Sequence, residues 1–232
     1  MSKNAFGIHF GATSASIAYV DPTGYPTVIE NKEGQYNTPA VVNFLSPNTV
    51  VVGDIAKKEA EINPGNTIQL VLTLMGKTDF AYNHQGKDLS PEEVAALILI
   101  KVTHDAADLM DTKVQDVIIT CPDDAGVTTR RAIETAAEVA CLNVLDVVDE
   151  SIAAVTYYGF TEEYSPKNVL VYDSGGNSFC ATIMQVNCEE MSIISSGCDA
   201  DLGERQKNFQ CSYIRHCFEL SNKHTNGSGD GT

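Results

Sequence analysis

The sequence is short of positive charge. Lys and Arg total 15 against 31 Asp and Glu, which gives a formal net charge of −16. A chain this acidic repels phosphate backbones at long range, so we expect no direct nucleic-acid site. The charge does not exclude a nucleotide, because backbone N–H groups and a metal ion can hold one phosphate cluster locally.

Long apolar runs are also missing. The longest, Val94–Ile100, is far short of the ~20 residues that a membrane-spanning helix needs. Residues 1–6 contain no extended apolar stretch before a small-residue cleavage site, so we expect no signal peptide. With 43% hydrophobic residues, the composition predicts a globular cytoplasmic protein without a membrane partner.

The seven cysteines include no Cys-x-x-Cys pair. Most of them lie among apolar neighbours on predicted strands or helices, so we expect reduced, partly buried thiols in a cytosolic protein. A late group of possible zinc ligands matches no standard finger spacing; its members are Cys211, His216, Cys217 and His224.

Periodicity and turn residues predict an α/β protein in which parallel strands are flanked by helices. The longest predicted helix covers 90–110, where Ser90 and Glu93 form a capping box. Asn66 is expected to cap a helix that runs to about Met75. The remaining main elements are strands over 5–10, 16–20, 117–120, 144–148, 168–173 and 179–186, and helices over 54–62, 128–141 and 151–158.

One weak internal repeat stands out. Gly7–Ser14 and Val171–Ser178 each place a Gly- and Ser-containing turn after an apolar strand, with His9 matching Asp173. Glycines let a turn backbone approach a ligand closely, and successive N–H groups can point at phosphate oxygens. Two such hairpins facing each other would clamp a triphosphate. Ordinary hairpin turns, in which Gly, Asn and Ser collect anyway, are the alternative interpretation.

Five segments in this order resemble the nucleotide-binding domain of the seventy-kilodalton heat-shock (DnaK-type) chaperones, members of the actin–sugar kinase superfamily. They are Gly7–Ala15, Asn63–Lys77, Ile118–Pro122, Asp149–Gly159 and Val171–Ile183. The resemblance implies an actin-like (ribonuclease H-like) ATPase fold, with the first lobe complete and the second only begun. The implied divisions are a first lobe over 1–165 and the start of a second lobe over 166–220, in which 206–220 is expected to form the first helix. The polar composition of 221–232 predicts a disordered tail.

Within that family, Gly7–Tyr19 and Asn63–Ile68 resemble an atypical branch, the subunit of a ribosome-associated complex. This implies a chaperone or co-chaperone that binds ATP with Mg²⁺ and hydrolyses it little or not at all. The implied partners are a J-domain co-chaperone, the ribosome and nascent polypeptides.

The family pattern also assigns site residues. The implied nucleotide-binding set is Gly11, Ala12, Thr13, Ser14, Glu150, Asp173, Gly175, Gly176, Asn177 and Ser178, with Asp173 holding Mg²⁺ through water. His9, Leu72 and Cys180 stand where hydrolysing members carry an Asp, the catalytic Lys and a metal-shell acid, so no catalytic position is intact. Most of the family's adenosine pocket lies beyond Thr232, which implies weak Mg·ATP affinity.

Two other functions are compatible with paired phosphate hairpins: an ATP-hydrolysing folding chaperone and a sugar-kinase-like enzyme. The three substitutions argue against the first. The match of Asp149–Ala154 to the chaperones argues against the second. Asp123 and Asp124 are expected to be solvated loop acids, and Arg130 matches an arginine that the family uses in interdomain signalling.

Overall fold

The computed structural model describes residues 5–158, 167–176, 178–187 and 190–199, and the backbone alone of 214–220. Two short 3-10 helices cover Pro64–Asn66 and Val71–Leu74. The other elements run along the chain as β1 (Phe6–Phe10), β2 (Ser14–Val20), β3 (Pro26–Ile29), β4 (Thr38–Pro39), β5 (Val41–Ser46), β6 (Thr49–Val52), α1 (Asp54–Ile62), β7 (Thr67–Gln69), β8 (Tyr82–His84), β9 (Lys87–Leu89), α2 (Pro91–Met110), β10 (Asp116–Cys121), α3 (Val127–Val139), β11 (Asn143–Asp149), α4 (Glu150–Tyr157), β12 (Lys167–Ser174), β13 (Phe179–Val186), β14 (Met191–Asp199) and β15 (Ile214–Leu220).

Two larger sheets organise the molecule. The first has the order β11-β10-β1-β2-β3, with β4 also paired to β2. In it β1, β10 and β11 are parallel, as the alternating pattern predicts, while β1–β2 and β2–β3 are antiparallel. The second sheet, β14-β13-β12-β15, is antiparallel throughout. The expectation of parallel strands is therefore wrong for β12 and β13, which are joined as a hairpin.

The helices α2 and α3 cover the first sheet. Helix α2 begins with the predicted capping box, in which Ser90 Oγ accepts from the Glu93 amide and Glu93 Oε2 accepts from the Ser90 amide. One apolar core holds the inward faces of both helices and the sheet. The second sheet has its own smaller core, formed by Ala154, Val155, Val169, Val171, Met184 and Val186.

None of the helices in the described ranges is long and apolar enough to cross a membrane.

The predicted helix after Asn66 is wrong. Pro64 opens a 3-10 turn there, and the β-branched residues that follow form strand β7, in which Ile68 pairs with Val42. Leu70 then adopts a left-handed conformation with φ 57°, which ends the strand before the second 3-10 turn. Pairing with β5 gives hydrogen-bond partners to backbone N–H and C=O groups that a short isolated helix would leave unpaired at its ends.

The predicted helix over 206–220 is also wrong where the structure describes it. Ile214–Leu220 is a strand that pairs antiparallel with β12 from Ser174 to Asn168. An open strand edge carries a row of N–H and C=O groups that need partners, and this demand outweighs a helical apolar pattern. Residues 206–213, and the tail predicted over 221–232, lie outside the described residues. So does the lobe boundary predicted at 165.

Candidate functional site

The two repeated hairpins have the same turn. The Gly11 amide donates to the Ser14 carbonyl at 2.9 Å, and the Gly175 amide donates to the Ser178 carbonyl at 2.9 Å. In each case the turn joins two antiparallel strands, β1 to β2 and β12 to β13. The sequence repeat is thus a repeat of backbone structure, with one copy in each large sheet.

The two turns face each other. A Cβ atom added to Gly176 would lie 2.6 Å from both Cγ2 and Oγ1 of Thr13, so the backbone of one loop packs directly on the side chain of the other. Between them lies a cavity of about 50 Å³, which has room for only a few water molecules.

Nearly all the predicted site residues meet at this cavity. Its lining comprises His9, Gly11, Ala12, Thr13, Leu72, Pro122, Glu150, Asp173, Gly175, Gly176, Ser178 and Cys180. Ser14 is buried in the turn and contributes its carbonyl to Gly11, while Asn177 lies outside the described residues. The geometry brings these residues together, and their role in binding stays a prediction.

His9 is held by two neighbours from different elements. Its Nδ1 lies 3.1 Å from Thr120 Oγ1 on β10 and 3.2 Å from Glu150 Oε1 at the start of α4. Thr120 Oγ1 also accepts a hydrogen bond from the Phe10 amide at 3.3 Å. The imidazole is therefore fixed against the Glu150 carboxylate. Sequence reasoning did not foresee this contact, because His9, Thr120 and Glu150 lie on three elements that only the fold brings together.

Leu72 and Cys180 close the cavity with groups that carry no charge. Leu72 lies in the second 3-10 turn with only 5% of its surface exposed, and an apolar side chain cannot stabilise charge on a transferring phosphoryl group. Cys180 is bonded to Cys198 in a disulfide. The expectation that the cysteines are reduced is therefore wrong for this pair, which the register of β13 and β14 brings together.

Two further cysteines are free thiols. Cys121 is buried, and burial raises the pKa of its thiol to about 12. Cys141 is exposed. Because the thiolate is the reactive form, Cys121 is chemically inert at neutral pH while Cys141 is accessible.

The oxygen donors suit a hydrated magnesium ion, although they do not form a cage. Among the described residues, no group of three or more His, Cys, Asp and Glu is arranged to hold a metal ion. Asp173 and Glu150 nevertheless line the same cavity, and Mg²⁺ is commonly held by one or two carboxylates together with water and substrate phosphates. Asp173 is the residue that would hold the ion through water, where it would neutralise phosphate charge.

Comparison with known proteins decides the family. A family model described as Hsp70 protein matches residues 5–81 and 75–227. Proteins named chaperone protein DnaK from Thermotoga petrophila, Thermotoga maritima and Thermotoga sp. (strain RQ2) are each 34% identical to this chain over 197 residues. The chain belongs to the Hsp70 family. The aligned part covers 85% of this chain and 33% of each relative, so the chain spans about a third of their length.

Family membership confirms the actin-like fold class predicted from the sequence. Neither the family model nor the relatives bear on the ribosome-associated branch, which remains a prediction.

The junction between the two sheets depends on Asp123, which the sequence suggested was a solvated loop acid. Asp123 Oδ1 accepts from the Ser151 amide at 2.9 Å, and its Oδ2 accepts from Thr182 Oγ1 at 2.6 Å. Thr182 is fully buried and is also hydrogen-bonded to Ser196 at 2.8 Å. This expectation was wrong for Asp123, because its partners come from distant elements; Asp124 is exposed, as expected.

Arg130 fixes the same region from α3. Its guanidinium pairs with Asp149, the last residue of β11, and donates to the Val147 and Ala125 carbonyls at 3.0 and 3.3 Å. Asp149 and Val147 lie where β11 passes into α4, and Ala125 lies in the loop before α3. In this Hsp70 chain Arg130 thus holds the end of β11 next to α4, and a role in interdomain signalling stays a prediction.

We predict that Asp123→Ala destabilises the chain, because it leaves the Ser151 amide and the Thr182 hydroxyl without their acceptor. The expected loss is about 1–3 kcal/mol in the free energy of unfolding, measured by urea denaturation. Asp124→Ala is the matched control, and as an exposed residue it should change stability by less than about 0.5 kcal/mol. Equal losses in the two variants would show that the bridge contributes nothing.

We predict a contrast between the two glycines of the second loop. Gly176→Ala places a methyl group against Thr13 and should cost about 1–3 kcal/mol of stability through overpacking. Gly175→Ala meets its nearest atom, the Ser178 carbonyl oxygen, at an ordinary 3.5 Å, so its cost should be smaller. Urea denaturation of both variants measures the difference, and an equal cost would contradict the close approach of the loops.

Proposed function

We propose that this chain is the nucleotide-binding part of an Hsp70-family chaperone or co-chaperone that binds ATP and hydrolyses it little or not at all. The observation that carries the proposal is the meeting of the two hairpin turns around one cavity. The Gly11, Gly175 and Gly176 backbones line this cavity without side chains, which is what close approach to phosphate oxygens requires. Family membership supports the nucleotide as the ligand.

Loss of hydrolysis follows from uncharged side chains that stand where the family pattern has charged ones. Phosphoryl transfer is catalysed almost entirely by positioning and by charge stabilisation. The cavity offers Leu72 where the family pattern has a lysine, and a disulfide sulfur at Cys180 where it has an acid. His9 is committed to Thr120 and Glu150. A phosphate can still be held by backbone N–H groups, so binding is retained while the chemical step is not.

The proposed cellular role is assistance to the folding of nascent polypeptides in the cytoplasm, at the ribosome and with a J-domain partner. It is supported by the resemblance of Gly7–Tyr19 and Asn63–Ile68 to the ribosome-associated branch. A site that binds ATP without hydrolysis also suits a protein that acts mainly through contacts with other proteins. The net charge of −16 favours protein contacts over direct contacts with ribosomal RNA.

An ATP-hydrolysing chaperone is the second candidate. Asp173 and Glu150 are both retained at the cavity, with oxygen atoms that can position water or a hydrated ion. Family membership favours either chaperone function over the sugar-kinase alternative.

A phosphate-release assay with the purified 232-residue protein and millimolar Mg·ATP separates the two candidates. We expect no release above the protein-free blank, because Leu72 and the Cys180 sulfur stand where the family pattern places a lysine and a metal-shell acid. The control is Asp173→Asn prepared in the same way, which reveals any contaminating ATPase. Release above the blank that the Asp173→Asn variant abolishes would overturn the proposal in favour of an active ATPase.

A further inference from the structure

The disulfide between Cys180 and Cys198 joins two neighbouring strands beside the cavity. The register of β13 and β14 pairs these residues, and their Cα atoms lie 4.2 Å apart. Directly opposite residues on antiparallel strands place their side chains on the same face of the sheet. The sheet itself therefore brings the two sulfur atoms together, and the bond can open or close without a change of fold.

The two ends of the bond differ in accessibility. Cys180 is 9% exposed and lines the cavity, and Asp173 is its partner residue on β12. Cys198 is half-buried on β14, which is the edge strand of its sheet. A small thiol can approach the bond from the Cys198 side, whereas the Cys180 side faces the phosphate loops.

The same face of β13 and β14 carries the contact with the first sheet. Thr182 follows Cys180 by two residues and Ser196 precedes Cys198 by two, so the Thr182–Ser196 hydrogen bond is the next link on this face. Thr182 also donates to Asp123 from the loop after β10. The disulfide is thus the neighbour, on the same face of the sheet, of the Thr182–Ser196 pair at the junction between the sheets. It also lies two residues after Ser178 of the second loop.

We propose that Cys180–Cys198 is a site of thiol–disulfide exchange whose redox state sets how tightly the two loops hold a phosphate-bearing ligand. This inference rests on the proposed function. The closed bond holds the strand that leaves the second loop in one position, and such preorganisation lowers the cost of binding. Opening the bond removes the covalent restraint between β13 and β14 beside the cavity, while the backbone pairing of the two strands remains. The reduced form therefore binds the ligand less tightly.

The chemistry is balanced by a dithiol reductant and a disulfide oxidant. A dithiol thiolate attacks Cys198 Sγ, the S–S bond breaks, and Cys180 leaves as a thiolate that takes up a proton. The second thiolate of the reductant then displaces Cys198, which also takes up a proton, and the reductant leaves as its cyclic disulfide with two electrons lost. Oxidised glutathione reverses the change and is released as two molecules of reduced glutathione.

Two free cysteines in the described part of the chain provide internal controls. Cys121 is buried and its thiol pKa is about 12, so it takes no part in exchange near neutral pH. Cys141 is exposed but has no cysteine bonded to it. Cys141→Ser therefore removes an accessible thiol without touching the proposed site.

The experiment compares the protein oxidised by glutathione disulfide with the protein reduced by dithiothreitol, after both reagents are removed. Alkylation and peptide mass mapping show whether the Cys180 and Cys198 peptides are linked. A ³¹P NMR titration then gives the dissociation constant of Mg·ATP for each form. We expect the oxidised form to bind Mg·ATP about three- to tenfold more tightly, because the closed bond removes part of the cost of ordering one segment on binding.

Three variants complete the test. The Cys180→Ser/Cys198→Ser double variant and Cys198→Ser alone should both bind like the reduced protein and ignore dithiothreitol. Circular dichroism confirms that they are folded, and Cys141→Ser should respond like the parent. Unlinked peptides after oxidation would overturn the exchange site. Linked peptides with equal affinities would overturn its coupling to the loops while leaving the proposed function intact. No binding by either form would overturn both.

Discussion

The close approach of two hairpin turns is the constraint on which the site depends. Thr13 of the first loop touches the Gly176 backbone of the second with no room for even a methyl group between them. Each turn is closed by the same amide-to-carbonyl bond, from Gly11 to Ser14 and from Gly175 to Ser178. Because each loop belongs to a different sheet, this contact and the Asp123 bridge together fix how the two sheets meet at the cavity.

The cavity combines a retained backbone with replaced side chains. Backbone N–H groups hold phosphate through geometry alone, so they survive changes in neighbouring side chains. Catalysis needs charged groups of the protein beside the atoms on which charge develops in the transition state, and neither Leu72 nor the Cys180 sulfur supplies one. His9 is directed to Glu150 and Thr120. We propose that binding and hydrolysis are thereby separated in one site, as suits an Hsp70-family member that acts through its nucleotide state or its contacts without turnover.

Much of this arrangement could be predicted from local sequence. The capping box at Ser90 and the repeated glycine turns are short-range patterns, and the structure has both. The misassigned segments are those decided by distant partners. Thr67–Gln69 is a strand because β5 is beside it, and Ile214–Leu220 is a strand because β12 has an open edge. A helical pattern in a single segment carries no information about either neighbour.

The same limit applies to the site. His9, Leu72 and Cys180 could be identified from the family pattern, because each stands at a fixed offset from a motif. The Cys180–Cys198 bond and the Asp123–Thr182 bridge could not, since both depend on the register of β13 against β14 and on how the loop after β10 meets that sheet. Sequence separation hides such contacts even when every residue in them is chemically conspicuous.

The most direct test of the central claim is to map where Mg·ATP touches the protein. In an amide chemical-shift titration of the ¹⁵N-labelled chain, the account predicts weak, saturable shifts that are largest at Gly11, Ala12, Thr13, Gly175, Gly176 and Ser178. Absence of shifts at these amides up to millimolar Mg·ATP, or shifts centred elsewhere on the molecule, would contradict the claim that the two hairpins form a phosphate site.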